Sequence, residues 1–124
     1  MSTAKEIIQQ VNKAIISFEK EFLGRGPLET RTFLVADDMV LVRLKGVLTP
    51  AEIQLGQAAE QQRGRRLVKE MRQQLIESGR PLLNQVIQDI VGQPVQSLHT
   101  DISTKTGERI IVFTFEKKLN ITER

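Results

Sequence analysis

Residues 98–109 read LHTDISTKTGER and hold most of the side chains that could carry chemistry. His99 is the chain's single histidine, and Asp101 follows two places later. On a strand that spacing puts both side chains on one face. A carboxylate beside an imidazole orients it and raises its basicity, which is what a general base needs. The rest of a catalytic set is missing. There is no cysteine, and no serine sits on a strand–turn–helix elbow. One histidine and one aspartate leave a zinc ion short of ligands. No catalytic residue, no metal ligand and no cofactor is assigned, and the chain is read as not an enzyme.

Ser103, Thr104, Lys105 and Thr106 carry hydroxyls around one cation, which suits an oxyanion. A phosphate loop, however, needs GxxxxGK[ST] between a strand and a helix, and this run lies between two strands. With His99, Asp101 and either Arg31 or Arg43 it forms a candidate anion loop for a small ligand. The same residues also suit an exposed turn, where lysine discourages strand addition. A second candidate is basic: Arg65, Arg66, Lys69 and Arg72 on the helix through 63–72. Such a face could touch nucleic acid or anionic headgroups. Glu70 and Glu77 interrupt it and no aromatic residue is near for base stacking, so nucleic acid is disfavoured. Asp37-Asp38 is a turn pair, not an acid–base dyad.

The elements that must position these residues follow from pattern. The 124 residues suffice for one domain with a modest core. Five Phe and no Trp or Tyr make that core aliphatic. Absence of cysteine fits a reducing compartment, and no apolar run approaches the ~18–20 residues of a membrane span. The expectation is a cytoplasmic protein, peripheral to a membrane at most. A net charge of +3 selects no partner.

Thr3-Ala-Lys-Glu6 has capping-box spacing, and Ile7, Ile8, Val11, Ala14, Ile15, Phe18 and Phe22 then recur on one helical face up to Gly24. TRTFLVADDMVLVRLK reads as a hairpin turning at Asp37-Asp38. Pairing Val35 with Val40 gathers Phe33, Val35, Val40, Val42 and Leu44 on one face. Leu34, Ala36, Met39 and Leu41, with Thr32 and Arg43, fall on the other, too apolar to lie open to water. Thr49-Pro50-Ala51-Glu52 starts another helix. Its first half, with Gly56 and Gly64, is polar and expected to be frayed or solvent-facing. Leu67, Val68, Met71 and Leu75 strengthen the stripe, and Gly79-Arg80-Pro81 imposes a kink or a break. An unbroken helix over 50–91 would run ~60 Å, so bends are expected. The last hairpin closes on Thr106-Gly107, pairing Lys105 with Glu108 and Ile102 with Ile111. It sets Leu98, Ile102, Ile111, Phe113 and Phe115 opposite His99, Asp101 and Ser103. A slip would change the partners.

Helix, glycine, proline and hairpin occur twice, with Phe22, Gly24 and Pro27 echoed by Ile90, Gly92 and Pro94. The fold class is therefore α+β. Two helix–β-hairpin units share a four-stranded antiparallel sheet packed by helices, with an extra long or kinked central helix. The second sheet face (Leu34, Ala36, Met39, Leu41) seeks a partner, and a homodimer is the simplest one.

Four stretches, GRGPLETRTFLVADDMVLVRLKGVLTPAE, GRRLVKEMRQQLIE, RPLLNQVIQDIVG and HTDISTKTGERIIVFT, resemble the small bacterial MpsC-like domains. That family is described as a component of a Na+-translocating, membrane-potential-generating system. The resemblance covers about residues 4–115 of a single domain spanning 1–124, with 117–124 a polar, frayed tail. It implies an accessory or regulatory role beside a membrane-complex protein and supplies no catalytic residue.

Overall fold

The computed structural model describes residues 2–58 and 61–122. The ends of the chain and Ala59-Glu60 lie outside the described residues, including the last two positions of the expected tail. A short strand β1 (Ser2–Thr3) leads into helix α1 (Ala4–Leu23), then strands β2 (Glu29–Val35) and β3 (Met39–Lys45). Helices α2 (Pro50–Gly56) and α3 (Gln61–Val91) precede strands β4 (Ser97–Ile102), β5 (Arg109–Thr114) and β6 (Ile121–Thr122). The main sheet is antiparallel with order β2-β3-β5-β4. Two helix–hairpin units thus join through their inner strands, as the internal echo predicts.

Local signals at the helix starts hold. The Glu6 N–H donates to Thr3 Oγ1 at 3.1 Å and the Thr3 N–H to Glu6 Oε1 at 2.8 Å. Thr49 and Glu52 repeat the arrangement at 3.2 and 2.8 Å, with Pro50 opening the first turn. Gly24 closes α1 at φ 83°, the left-handed geometry that glycine adopts without strain. Along α1, Ile7, Val11, Ile15 and Phe18 are buried.

The long helix differs from expectation in two ways. The chain breaks after Gly56, not at Gly79-Arg80-Pro81, and α3 runs 31 residues through Pro81, about 46 Å. Ile76, Gly79 and Leu83 are buried on both sides of the proline, so packing outweighs the lost hydrogen bond. Gly79 lets α1 approach closely: a Cβ there would lie 2.6 Å from the Phe18 ring, itself stacked on Phe22 at 4.7 Å. The buried stripe of α3 is Val68, Arg72, Ile76, Gly79, Leu83, Ile87 and Val91, while Leu67 and Met71 face outward. The polar segment is largely solvent-facing as expected, with Gly64 its one buried residue among those described.

Both hairpin registers shift. In the first, Val35 pairs with Met39 and Phe33 with Leu41. The loop holds three residues, with Ala36 and Asp37 at φ 54° and 67°. A one-residue slip exchanges the faces of a strand. Leu34 therefore joins the core side with Val40 and Val42, Ala36 sits in the turn, and Phe33 and Val35 join Met39 and Leu41 on the outer face. In the second hairpin Ile102 pairs with Arg109 and Thr100 with Ile111. That is a slip of two, so the faces stand: Leu98, Ile102, Ile111 and Phe113 are buried while His99 and Asp101 are exposed. Ser103 lies in the turn, its N–H donating to the Glu108 carbonyl at 2.8 Å.

The tail is docked rather than frayed through Thr122. Leu119 is buried, its N–H donates to the Asp37 carbonyl at 2.6 Å, and β6 pairs in parallel with β1. Helices α1 and α3 share the core with one sheet face, whose Val40, Val42, Leu44, Ile111 and Phe113 are wholly buried. On the other face a row runs Phe33–Leu41–Val112–His99 across the four strands.

Candidate functional site

Four charged residues from four elements meet in the interior: Glu19 of α1, Glu52 of α2, Arg72 of α3 and Arg109 of β5, none more than 7% exposed. Arg72 holds Glu52 with its Nε–Nη2 edge, Nε to Oε2 at 2.8 Å and Nη2 to Oε1 at 2.6 Å. Its Nη2 also donates to the Val47 carbonyl at 2.7 Å. Burial opposes the Glu52 charge, yet the Arg72 guanidinium and the Thr49 cap prevail, and its pKa falls below the ordinary carboxylate value. Glu52 therefore closes the α2 cap and anchors α3 with one carboxylate.

Glu19 is the less settled member. Its Oε1 stands 4.0 Å from Arg72 Nη1, and its Oε2 has no hydrogen-bond partner. Burial raises its pKa, with Arg109 and Arg72 acting in the opposite sense. A carboxyl whose folded pKa is raised stabilises the fold fully only below its unfolded value, and that stability is lost as pH rises through the folded value. Glu19→Gln removes this titration. Comparing urea midpoints of the two proteins between about pH 4 and 8 is expected to show the native protein losing ground to the variant as pH rises. Parallel curves would contradict the assignment.

Arg109 is 1% exposed. Its Nη1 donates to Thr100 Oγ1 at 2.9 Å, while Nε and Nη2 have no partner. Burial lowers its pKa, and the Glu19 charge acts against that. Arg109 lines a cleft of about 400 Å³ with Lys69, Glu70, Gln73 and Gln74 of α3 and Asp101 and Ile102 of β4.

These positions revise the candidate basic face. Arg65, Arg66 and Lys69 are exposed, but Arg72 points inward, because it occupies the buried stripe of α3 and is neutralised by Glu52. Lys69 Nζ lies 3.1 Å from Asp101 Oδ1. The Ile102 N–H, then Lys69, hold the Asp101 pKa below its ordinary value. Arg65, Arg66, Lys69 and Arg72 therefore do not share one surface.

The anion-loop residues are likewise dispersed. His99 and Asp101 sit on the outer sheet face, Asp101 turned to Lys69. Arg43 is committed to Glu108, with Nε and Nη2 both on Oε2 at 2.9 and 2.6 Å, and Arg31 pairs with Glu29. The hairpin tip keeps its own environment. Thr104, Lys105 and Thr106 line a cleft of about 240 Å³ with Arg65, Ile53 and Gln57. Two cations and two hydroxyls around a cleft can receive an oxyanion, and Arg65 is the residue the sequence reading did not join to the loop. Among the described residues no three His, Asp or Glu side chains form a metal-binding group. No helix there is long and apolar enough to cross a membrane.

The interior cluster was missed because each member reads separately as surface charge. The available signal was the spacing Val68, Arg72, Ile76, Leu83, which puts an arginine inside an apolar stripe.

Comparison with known proteins adds the family. The family model described as "Na+-translocating membrane potential-generating system (MpsC)" matches residues 3–117. The protein "Uncharacterized protein YbcI" of Bacillus subtilis (strain 168) is 42% identical over 107 residues, covering 86% of this chain and 83% of that protein. No solved structure matches. With the match running from the β1–α1 junction through the end of the main sheet, the chain belongs to the MpsC family.

Proposed function

We propose that this chain is a non-enzymatic accessory protein that acts by protein contact, as a homodimer built on its open sheet face, beside the Na+-translocating membrane system for which its family is named. The observation that carries this reading is the apolar outer face. Phe33 and Val35 are 40% and 37% exposed, and Met39, Leu41, Ile110 and Val112 continue the patch across the sheet. None of the described helices covers them. Isolated exposed apolar residues are ordinary, whereas a contiguous patch marks an interaction surface.

A second copy is the simplest occupant, because a two-fold axis sets the same apolar patch against itself. The neighbouring row Arg31–Arg43–Ile110–Asp101 has its charges paired within the chain, to Glu29, Glu108 and Lys69. A two-fold axis parallel to the strands lays β3 of one copy over β5 of the next, so that Leu41 of one meets Val112 of the other. The family description supports the membrane context.

Sedimentation equilibrium of the native chain and of Leu41→Glu tests the dimer, with gentle-detergent co-purification of identified transport subunits alongside. The expected result is a native dimer, a folded monomeric variant, and transport subunits recovered only with the native protein. A native chain that stays monomeric to ~100 µM, far weaker than a ~1 µM interface worth about 8 kcal/mol, would sink the dimer. Recovery unchanged by Leu41→Glu would sink the role of this face.

A further inference from the structure

Three arginines of this chain present the same edge of the guanidinium, Nε together with Nη2, to three different fates. Arg72 fills that edge with the two oxygens of Glu52. Arg43 closes it on Glu108. In Arg109, more buried than either, the edge is empty while Nη1 is tied to Thr100. An unpaired charged donor inside a protein is costlier than an unpaired neutral one, and the Nε–Nη2 edge has the spacing of a carboxylate's two oxygens. We propose that this edge of Arg109, covered by the lining of the cleft between α3 and β4, binds the carboxylate of a small organic acid once the rim side chains part.

The surroundings fit such a ligand. The cleft of about 400 Å³ is on the scale of small-molecule sites. Gln73 and Gln74 supply amides and Ile102 an apolar wall, while Lys69 offsets the Asp101 carboxylate beside it and Glu70 lies on the same rim. Lys69, Gln73 and Gln74 are exposed side chains, which reorient in picoseconds to nanoseconds, so the mouth can open without moving the backbone. Thr100 fixes one end of the guanidinium and so aligns the other before a ligand arrives, which lowers the ordering cost of binding. The ionised form of Glu19 favours the Arg109 charge, which burial opposes. The site borders the outer sheet face at Asp101, while Arg109 itself points to the core side.

The competing account is internal: Glu19 Oε2 also lacks a partner, and closure of Glu19 onto Arg109 would fill the edge without any ligand. Titration of the folded chain with sodium acetate and disodium succinate, against sodium chloride at matched ionic strength, separates the two. The readouts are the Nε–Hε resonance of Arg109 and the melting temperature. The expected result is a saturable shift of that resonance with a parallel rise in melting temperature. Arg109→Lys, which keeps the charge but loses the edge, is expected to weaken binding at least about tenfold. Should that variant not fold, Gln73→Glu on the exposed rim places a repelling charge in the cleft and is expected to weaken binding likewise. Lys105→Ala at the hairpin tip is expected to leave it intact. The proposal is overturned by an Arg109 resonance that ignores both acids, by binding that survives Gln73→Glu, or by binding that disappears with Lys105→Ala. A response to inorganic phosphate alone would overturn the carboxylate assignment.

Discussion

Arg72→Ala is expected to lower the unfolding free energy by about 3–5 kcal/mol, the range for breaking a buried ion pair from one side. The loss goes beyond the pair. The variant strands the Glu52 carboxylate, 7% exposed, and leaves the Val47 carbonyl without the Nη2 donor. It also opens a void where α2, α3 and the β3–α2 connection meet. Glu52→Gln combined with Arg72→Met removes both charges and keeps most of the volume, so it is expected to recover a large part of the loss. Arg65→Ala, on the exposed face seven residues earlier, is expected to change stability by no more than about 0.5 kcal/mol. Urea denaturation of the four proteins measures all three differences. An Arg72→Ala protein as stable as Arg65→Ala would show that Arg72 is a surface cation after all. Acid acts on the same contact. The depressed pKa of Glu52 contributes stability above its unfolded value, and that contribution is lost as pH falls through the folded one.

Gly64→Ala is expected to destabilise by about 1–3 kcal/mol, although the substitution within a helix would ordinarily gain about 1 kcal/mol. A Cβ on Gly64 would stand 2.0 Å from the Leu55 carbonyl oxygen and 2.9 Å from its carbon. That obstacle is backbone, not the tip of a flexible side chain, so α2 as a whole must move away from α3. The movement would pull Glu52 off Arg72, which couples this substitution to the first. Gly56→Ala is the internal control, since its Cβ would meet nothing nearer than Arg65 Cγ at 3.8 Å. It is expected to be neutral or slightly stabilising. Equal behaviour of the two alanine variants in thermal or urea unfolding would refute the close approach of α2 and α3.

These expectations separate what a one-dimensional reading captures from what it misses. Both capping boxes, the glycine stop of α1, the repeated helix–hairpin plan and the α+β class follow from contacts three or four residues apart or from periodic pattern. The first hairpin shows the limit of that reasoning. Its turn takes three residues, with Ala36 and Asp37 in the left-handed region, a conformation that alanine seldom adopts. Nothing in VADDM announces it, and the odd slip exchanged Phe33 and Val35 for Leu34 and Ala36 on the outer face. The second hairpin slipped by two, and its faces stayed correct because side chains alternate with period two.

The candidate sites divide along the same line. The hydroxyls and lysine of the 98–109 stretch lie at a hairpin end, as their types and Gly107 imply. Their companions do not follow from sequence, since Arg43 and Arg31 are consumed by Glu108 and Glu29 and Arg65 arrives from a different element. By itself the sequence determined the starts of α1 and α2, the aliphatic core stripe of α1, the two hairpins and the family. All of these rest on local geometry or on residues read in order. Only the tertiary structure decided that Arg72 and Arg109 are interior and which sheet face is bare. Burial of a charge depends on counter-charges 20 to 90 residues away in the chain, and no local spacing encodes where those arrive.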